Sequence, residues 1–238
     1  NSQATAVEQA RAEAEVKAAV VVAQQCPRDV DLALRMIEDA CSQPALASRA
    51  FFAYPRAGQT VTGASIHLAR EAARCWGNID YGIRELRRDD EGGESEMLAY
   101  AWDQQTNVRS SSSFIVPHAR WDSKRKTRNP LEDPRDVYEN NANMGARRLR
   151  ACLETIVRDD VIAHAIQACD RALIASNVAS DDNRAALLAE YVALGVTKER
   201  IEARLNKKWE AATPAQLVRL TRGLTAIKEG VTTADEAF

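Results

Sequence analysis

Between Ile79 and Val116 polar and apolar side chains alternate, and that period of two leaves the chain few folds to choose from. Ile79, Tyr81 and Ile83 are separated by Asp80, Gly82 and Arg84. Successive side chains of a strand point to opposite faces, so such a run marks a strand with one covered and one wet face. It dissolves into Asp89-Asp90-Glu91-Gly92-Gly93, which is turn chemistry. Met97–Trp102 and Val108–Val116 follow as two more strands, joined by residues 103–107. Parallel neighbours need crossovers of a dozen or more residues, so these short connections predict an antiparallel meander. Leu98, Tyr100 and Trp102 fall on one face of its middle strand. The serines Ser110 to Ser113 suggest that the third strand is a wet surface or an edge.

Helices surround this meander. Ala64–Trp76 places Ile66, Ala69, Ala73 and Trp76 on one side, with Gly77 in the C-terminal cap position. Ala4–Gln25, ended by Cys26-Pro27, and Asp29–Ser42, closed by Pro44, read as a helical N-terminal arm. Ala50–Tyr54 and Gln59–Thr62 flank a turn at residues 55–58 and predict a short hairpin. Val161–Ile174 is a further helix and Ser176–Asn183 a polar linker. In the remainder, Gly195 ends one helix and Thr197 caps the next. Thr213-Pro214-Ala215-Gln216 combines an N-cap, a proline at N1 and a capping-box glutamine. The predicted class is α+β: a helix, a three-stranded antiparallel meander and a basic helix, flanked by N-terminal helices and a small C-terminal helical module. The expected spans are 1–45, 46–175 and 183–238.

The chain of 238 residues is 45% hydrophobic and 28% charged, a globular composition. Its longest Ala/Val-rich segment, Ala18–Ala23, is far too short to span a bilayer, and no cleavable-signal pattern is present. Cys26, Cys41, Cys75, Cys152 and Cys169 are odd in number and widely spaced, which predicts buried, reduced thiols, and no pair has metal-ligand spacing. The three histidines, His67, His118 and His164, are scattered. No Gly-rich phosphate loop, HExxH or GxSxG motif occurs. Asp159-Asp160 and Asp181-Asp182 sit where carboxylates cap helices or stay solvated. The residues therefore predict a protein that is not an enzyme, with no metal site.

Charge is localised. Residues 105–158 hold eleven Arg/Lys against six Asp/Glu, a net of +5 in a chain whose total is −2. A basic patch on an acidic protein points to a polyanion site. Within it, HARWDSKRKTRNPLEDP is too polar and proline-broken for a regular element and reads as a mobile basic loop. Here His118, Arg120, Lys124, Arg125, Lys126 and Arg128 surround Trp121, and cations around an aromatic are what a single-strand binding groove uses. The helix Asp136–Val157 follows. At about 100° per residue, Tyr138, Ala142, Leu149, Cys152, Leu153 and Ile156 share one face, and Asn140, Asn143, Arg147 and Arg150 the opposite one. Guanidinium forks match phosphate oxygens and Asn amides donate to them. Arg148 falls off that stripe but joins the candidate contacts, as does Arg109 on the third strand. The competing reading of the stripe is an ordinary solvated helix face.

This order of elements resembles the core of the phage single-strand annealing recombinases, the RecT, Redβ and Erf proteins, and the related eukaryotic annealing protein. GASIHLAREAARCWGNIDYGIREL looks like their helix that ends in aromatic-Gly and runs into the first meander strand. NMGARRLRACLE looks like their later helix, whose basic residues line the DNA groove. The resemblance covers roughly Thr60 to Ile174 and carries the groove role onto Arg147 and Arg150, with Arg148 beside them. It implies ATP-independent binding of single-stranded DNA and annealing of complementary strands to duplex in phage recombination. The protein would act as a homo-oligomer, ring or helical filament, with Trp121 stacking or wedging against bases. No cofactor is implied, Mg²⁺ entering only as a modulator of annealing. The C-terminal module resembles tails that recruit a phage exonuclease or a host single-strand-binding protein. The implied setting is the cytoplasm of a bacterial host, with no membrane partner. Two other readings compete: a phage structural or assembly protein whose basic loop is incidental, and a metal-dependent nuclease, which needs clustered carboxylates.

Overall fold

Alternation and capping decide the elements. The computed structural model describes residues 3–56, 59–122, 126–176 and 180–238. In chain order they form α1 (Gln3–Gln25), α2 (Val30–Ser42), α3 (Pro44–Ala47), β1 (Phe51–Arg56), β2 (Gln59–Ala64) and α4 (Ile66–Trp76). Then come β3 (Ile79–Asp89), β4 (Glu94–Asp103), β5 (Val108–Pro117), β6 (Ala119–Asp122), β7 (Thr127–Pro130) and α5 (Pro134–Ile156). The chain ends with α6 (Asp159–Ala175), α7 (Asp181–Ala193), α8 (Lys198–Leu205), a 3₁₀ turn at Trp209–Ala211, α9 (Pro214–Lys228) and α10 (Ala234–Ala237). The protein is α+β, and its largest sheet is the antiparallel meander β3-β4-β5. No helix among the described residues is long and apolar enough to cross a membrane.

Two units are interleaved along the chain, whereas the expected spans are consecutive. The first comprises residues 1–34 and 73–158. In it α5 lies on one face of the meander, mainly over β4 and β5. Ser95, Met97, Ala99 and Ala101 are buried on that face, as are Leu149, Cys152, Leu153 and Ile156 of the helix. The helix comes close because Gly145 has no side chain: a Cβ there would sit 2.8 Å from Ile83 Cδ1. Gly77 takes φ +75° and Asn78 φ 54°, turning the chain from α4 into β3 as its cap position predicts.

Arg28 locks the segment after α1 to this unit. Its side chain is 7% exposed, pairs at 3.0 Å with the 4% exposed Asp103, donates to the carbonyls of Trp76 and Gly77, and stacks 4.5 Å from the Trp76 ring centroid. Most of α1 is exposed, including Val7, Val16, Val21 and Val22.

The second unit comprises residues 35–72 and 159–238. Here α9 packs on β1 of the hairpin β1-β2, and Phe52, Tyr54 and Ala226 form one buried cluster. Tyr191, fully buried and donating to the Leu220 carbonyl at 2.7 Å, anchors a second cluster with Ile201, Trp209 and Leu217. Thr197 and Thr213 cap their helices as predicted, the latter in a full capping box with Gln216. Ser180 caps α7, so the helix starts inside the span expected as linker. Of the five cysteines, all free thiols, Cys26 is exposed, contrary to expectation.

Candidate nucleic-acid interface

The segment expected as a loop is a hairpin. Ala119 and Trp121 alternate with Arg120 and Asp122, and β6 pairs with β7 in the register Trp121↔Arg128 and Arg120↔Asn129. A positive φ of 53° at Lys126 helps turn the chain. Four residues per strand are too short an alternation to stand out from a run of charges, which is why period alone does not reveal it. The base is tied down by His118 N–H donating to the Gly93 carbonyl at 2.7 Å and Leu131 N–H donating to the His118 carbonyl at 2.8 Å.

On this hairpin Trp121 is 60% exposed, and directly across from it stands the exposed Arg128. Cross-strand partners share a face, so an indole and a guanidinium are presented side by side to solvent. Lys126 is exposed at the turn. Arg120, half-exposed, lies 3.7 Å from Asp136 in the first turn of α5. Lys124 and Arg125 lie outside the described residues.

His118 does not belong to this surface. It shares the parity of Val116 and enters the covered side of the sheet, 8% exposed, with Nε2 2.9 Å from Ser95 Oγ. Asn141 Nδ2 donates to the same Ser95 Oγ and to Glu85 Oε2, each at 3.0 Å. Ser95 is fully buried, so this cluster binds strand, hairpin base and helix together.

The cluster also corrects the reading of α5. Its buried stripe is Val137, Asn141, Gly145, Leu149, Cys152 and Ile156, while Tyr138 is 58% exposed and Ala142 is exposed. Hydropathy favours Ala142 over Asn141, but Ser95 and Glu85 accept from the Asn141 Nδ2 and let the side chain enter, although its Oδ1 is buried with no hydrogen-bond partner among the described residues. The Asn/Arg stripe still lies roughly opposite the buried one by helical geometry. Along it Asn140 donates to the Pro117 carbonyl at 3.0 Å, Asn143 is exposed, and Arg147 and Arg150 are half-buried. Arg148 sits nearer the sheet, its guanidinium 5.8 Å from the Phe114 ring.

Arg109 lies elsewhere, on the meander face turned away from α5. It stacks 4.2 Å over the Trp102 ring, and in the next rows Arg84 stacks 4.7 Å over Tyr100. Arg84, Tyr100 and Trp102 are absent from the DNA contacts expected from sequence. Strand alternation puts Tyr100 and Trp102 on one face, but only the placement of α5 reveals that this is the face the helix leaves, where Tyr100 is half-buried and Trp102 is 7% exposed. No group of three His, Cys, Asp or Glu among the described residues could hold a metal ion. No protein-family model, curated protein or solved structure matches the chain.

Proposed function

We propose that the protein binds single-stranded DNA and anneals complementary strands without ATP, acting as a homo-oligomer in phage recombination. The observation that carries this reading is the exposed Trp121 beside Arg128 on a hairpin inside the +5 segment. An indole offers unstacked bases a face, and the cations around it neutralise phosphates without reading sequence. Asn143, Arg147 and Arg150 extend the same chemistry along α5. Annealing itself draws its free energy from base pairing, so the protein needs only to hold a strand extended with its bases free. The exposed valines of α1 support self-association, because a second copy would cover them. The C-terminal helices hold nine acidic and nine basic residues from 180 to 238, a balance that suits a protein partner such as an exonuclease or single-strand-binding protein better than phosphate. Two complementary oligonucleotides, one with a fluorophore and one with a quencher, test the reading. The protein should accelerate their pairing in buffer free of nucleotide, and an unchanged rate at saturating protein would refute it.

A further inference from the structure

We propose that the face of β3-β4-β5 turned away from α5 is a second contact for single-stranded DNA, at which unpaired bases stack on the exposed Arg84 and Arg109 guanidiniums that Tyr100 and Trp102 back. The inference rests on the single-strand reading and gives it a site apart from the β6-β7 hairpin and α5. Three observations carry it. First, Tyr100 pairs in register with Gly82 on β3 and Ser111 on β5, so no bulky side chain flanks it in its row. A Cβ at Gly82 would come 3.0 Å from the Tyr100 hydroxyl and 3.1 Å from Cε1, so the ring lies over the glycine, where it carries the Arg84 guanidinium.

Second, both aromatics are held and both carry a cation. Arg84 stacks on Tyr100 and donates to its hydroxyl at 3.4 Å. The Trp102 indole N–H donates to Asn107 Oδ1 at 3.0 Å, which fixes the ring that Arg109 covers. Both arginines are exposed, and neither has a carboxylate partner among the described residues. A guanidinium stacked on a ring keeps its outer face and its N–H edge for a base and a phosphate. Third, the adjoining strand offers exposed Ser111 and Ser113, hydroxyls suited to a sugar-phosphate backbone. The helix α5 lies on the opposite face of this sheet, and Trp102, 7% exposed, serves here as the support that holds the Arg109 guanidinium.

Base stacking and phosphate attraction can be separated with two probes, a fluorescein-labelled oligothymidylate and an abasic strand of the same length. Tyr100→Leu should weaken oligothymidylate binding about fivefold or more and leave the abasic strand unaffected, while Tyr100→Phe restores wild-type affinity. The double variant Arg84→Gln/Arg109→Gln should weaken both probes and flatten the salt dependence. If Tyr100→Leu fails to fold by circular dichroism, the arginine double variant decides, with the same fivefold loss expected. If the Tyr100 and arginine variants bind both probes as wild type does while Trp121→Ala weakens binding, this site is refuted and the single-strand reading stands on the hairpin. If the wild-type protein binds neither probe, both fall together.

Discussion

Arg28 shows how much one residue can hold. Nearly out of solvent with Asp103, it meets that carboxylate, two carbonyls and a ring. Removing one partner of a buried pair leaves the other charge without compensation, so Arg28→Ala should cost about 3–5 kcal/mol. Urea unfolding measures this, and a loss within error of zero would mean the pair is not buried in solution. His67 gives a pH signature. Burial first, then Arg49 and Arg70, hold its pKa below the ordinary histidine value of 6.5. Its unfolded form therefore binds protons more readily than its folded form. The contribution is fully present above pH 6.5 and is lost as the pH falls below it. The urea midpoint of the wild type should drop over that window more steeply than that of His67→Gln. Parallel curves would contradict the assignment. Neither residue declares itself in the sequence, where Arg28 is one charge after a proline and His67 one polar position among several in an amphipathic helix.

Elements were more legible than their neighbours. The three alternating runs are strands in the predicted order, extended to Asp89, back to Glu94 and on to Pro117 once paired. Helix ends marked by Gly77, Thr197 and Thr213 are where caps place them. What hydropathy missed is which side of α5 faces the sheet, because Asn141 is buried by partners on strands far away in sequence. The hairpin β6-β7 was hidden for a related reason, its short alternation lying within a run of charges. Gly145 tests the packing of α5. Gly145→Ala gains helix propensity but drives a methyl into Ile83, so it should destabilise by roughly 1–3 kcal/mol. In an Ile83→Ala background the same change should become neutral or stabilising. A penalty equal in both backgrounds would show that Ile83 is not what excludes a side chain there.

At the scale of the molecule, the chain crosses between its two units at 34/35, 72/73 and 158/159. Sequence reading treats neighbouring segments as domains, and β1-β2 was therefore grouped with the meander. Its Phe52 and Tyr54 instead share a cluster with Ala226 of α9, a pairing that no local pattern encodes. The charge asymmetry, by contrast, is fully legible. The residues that carry the +5 excess belong to the unit of the meander, the hairpin and α5. The central claim is that this excess and Trp121 bind single strands. The most direct measurement is the affinity for a labelled oligothymidylate across a salt series, for wild type and for Trp121→Ala/Arg128→Ala. The account predicts that the wild-type log affinity falls linearly with log salt, by about 0.7 for each phosphate neutralised, and that the variant binds at least tenfold more weakly with a shallower slope. Wild-type affinity that is flat in salt, or a folded variant that matches the wild type throughout, would contradict it.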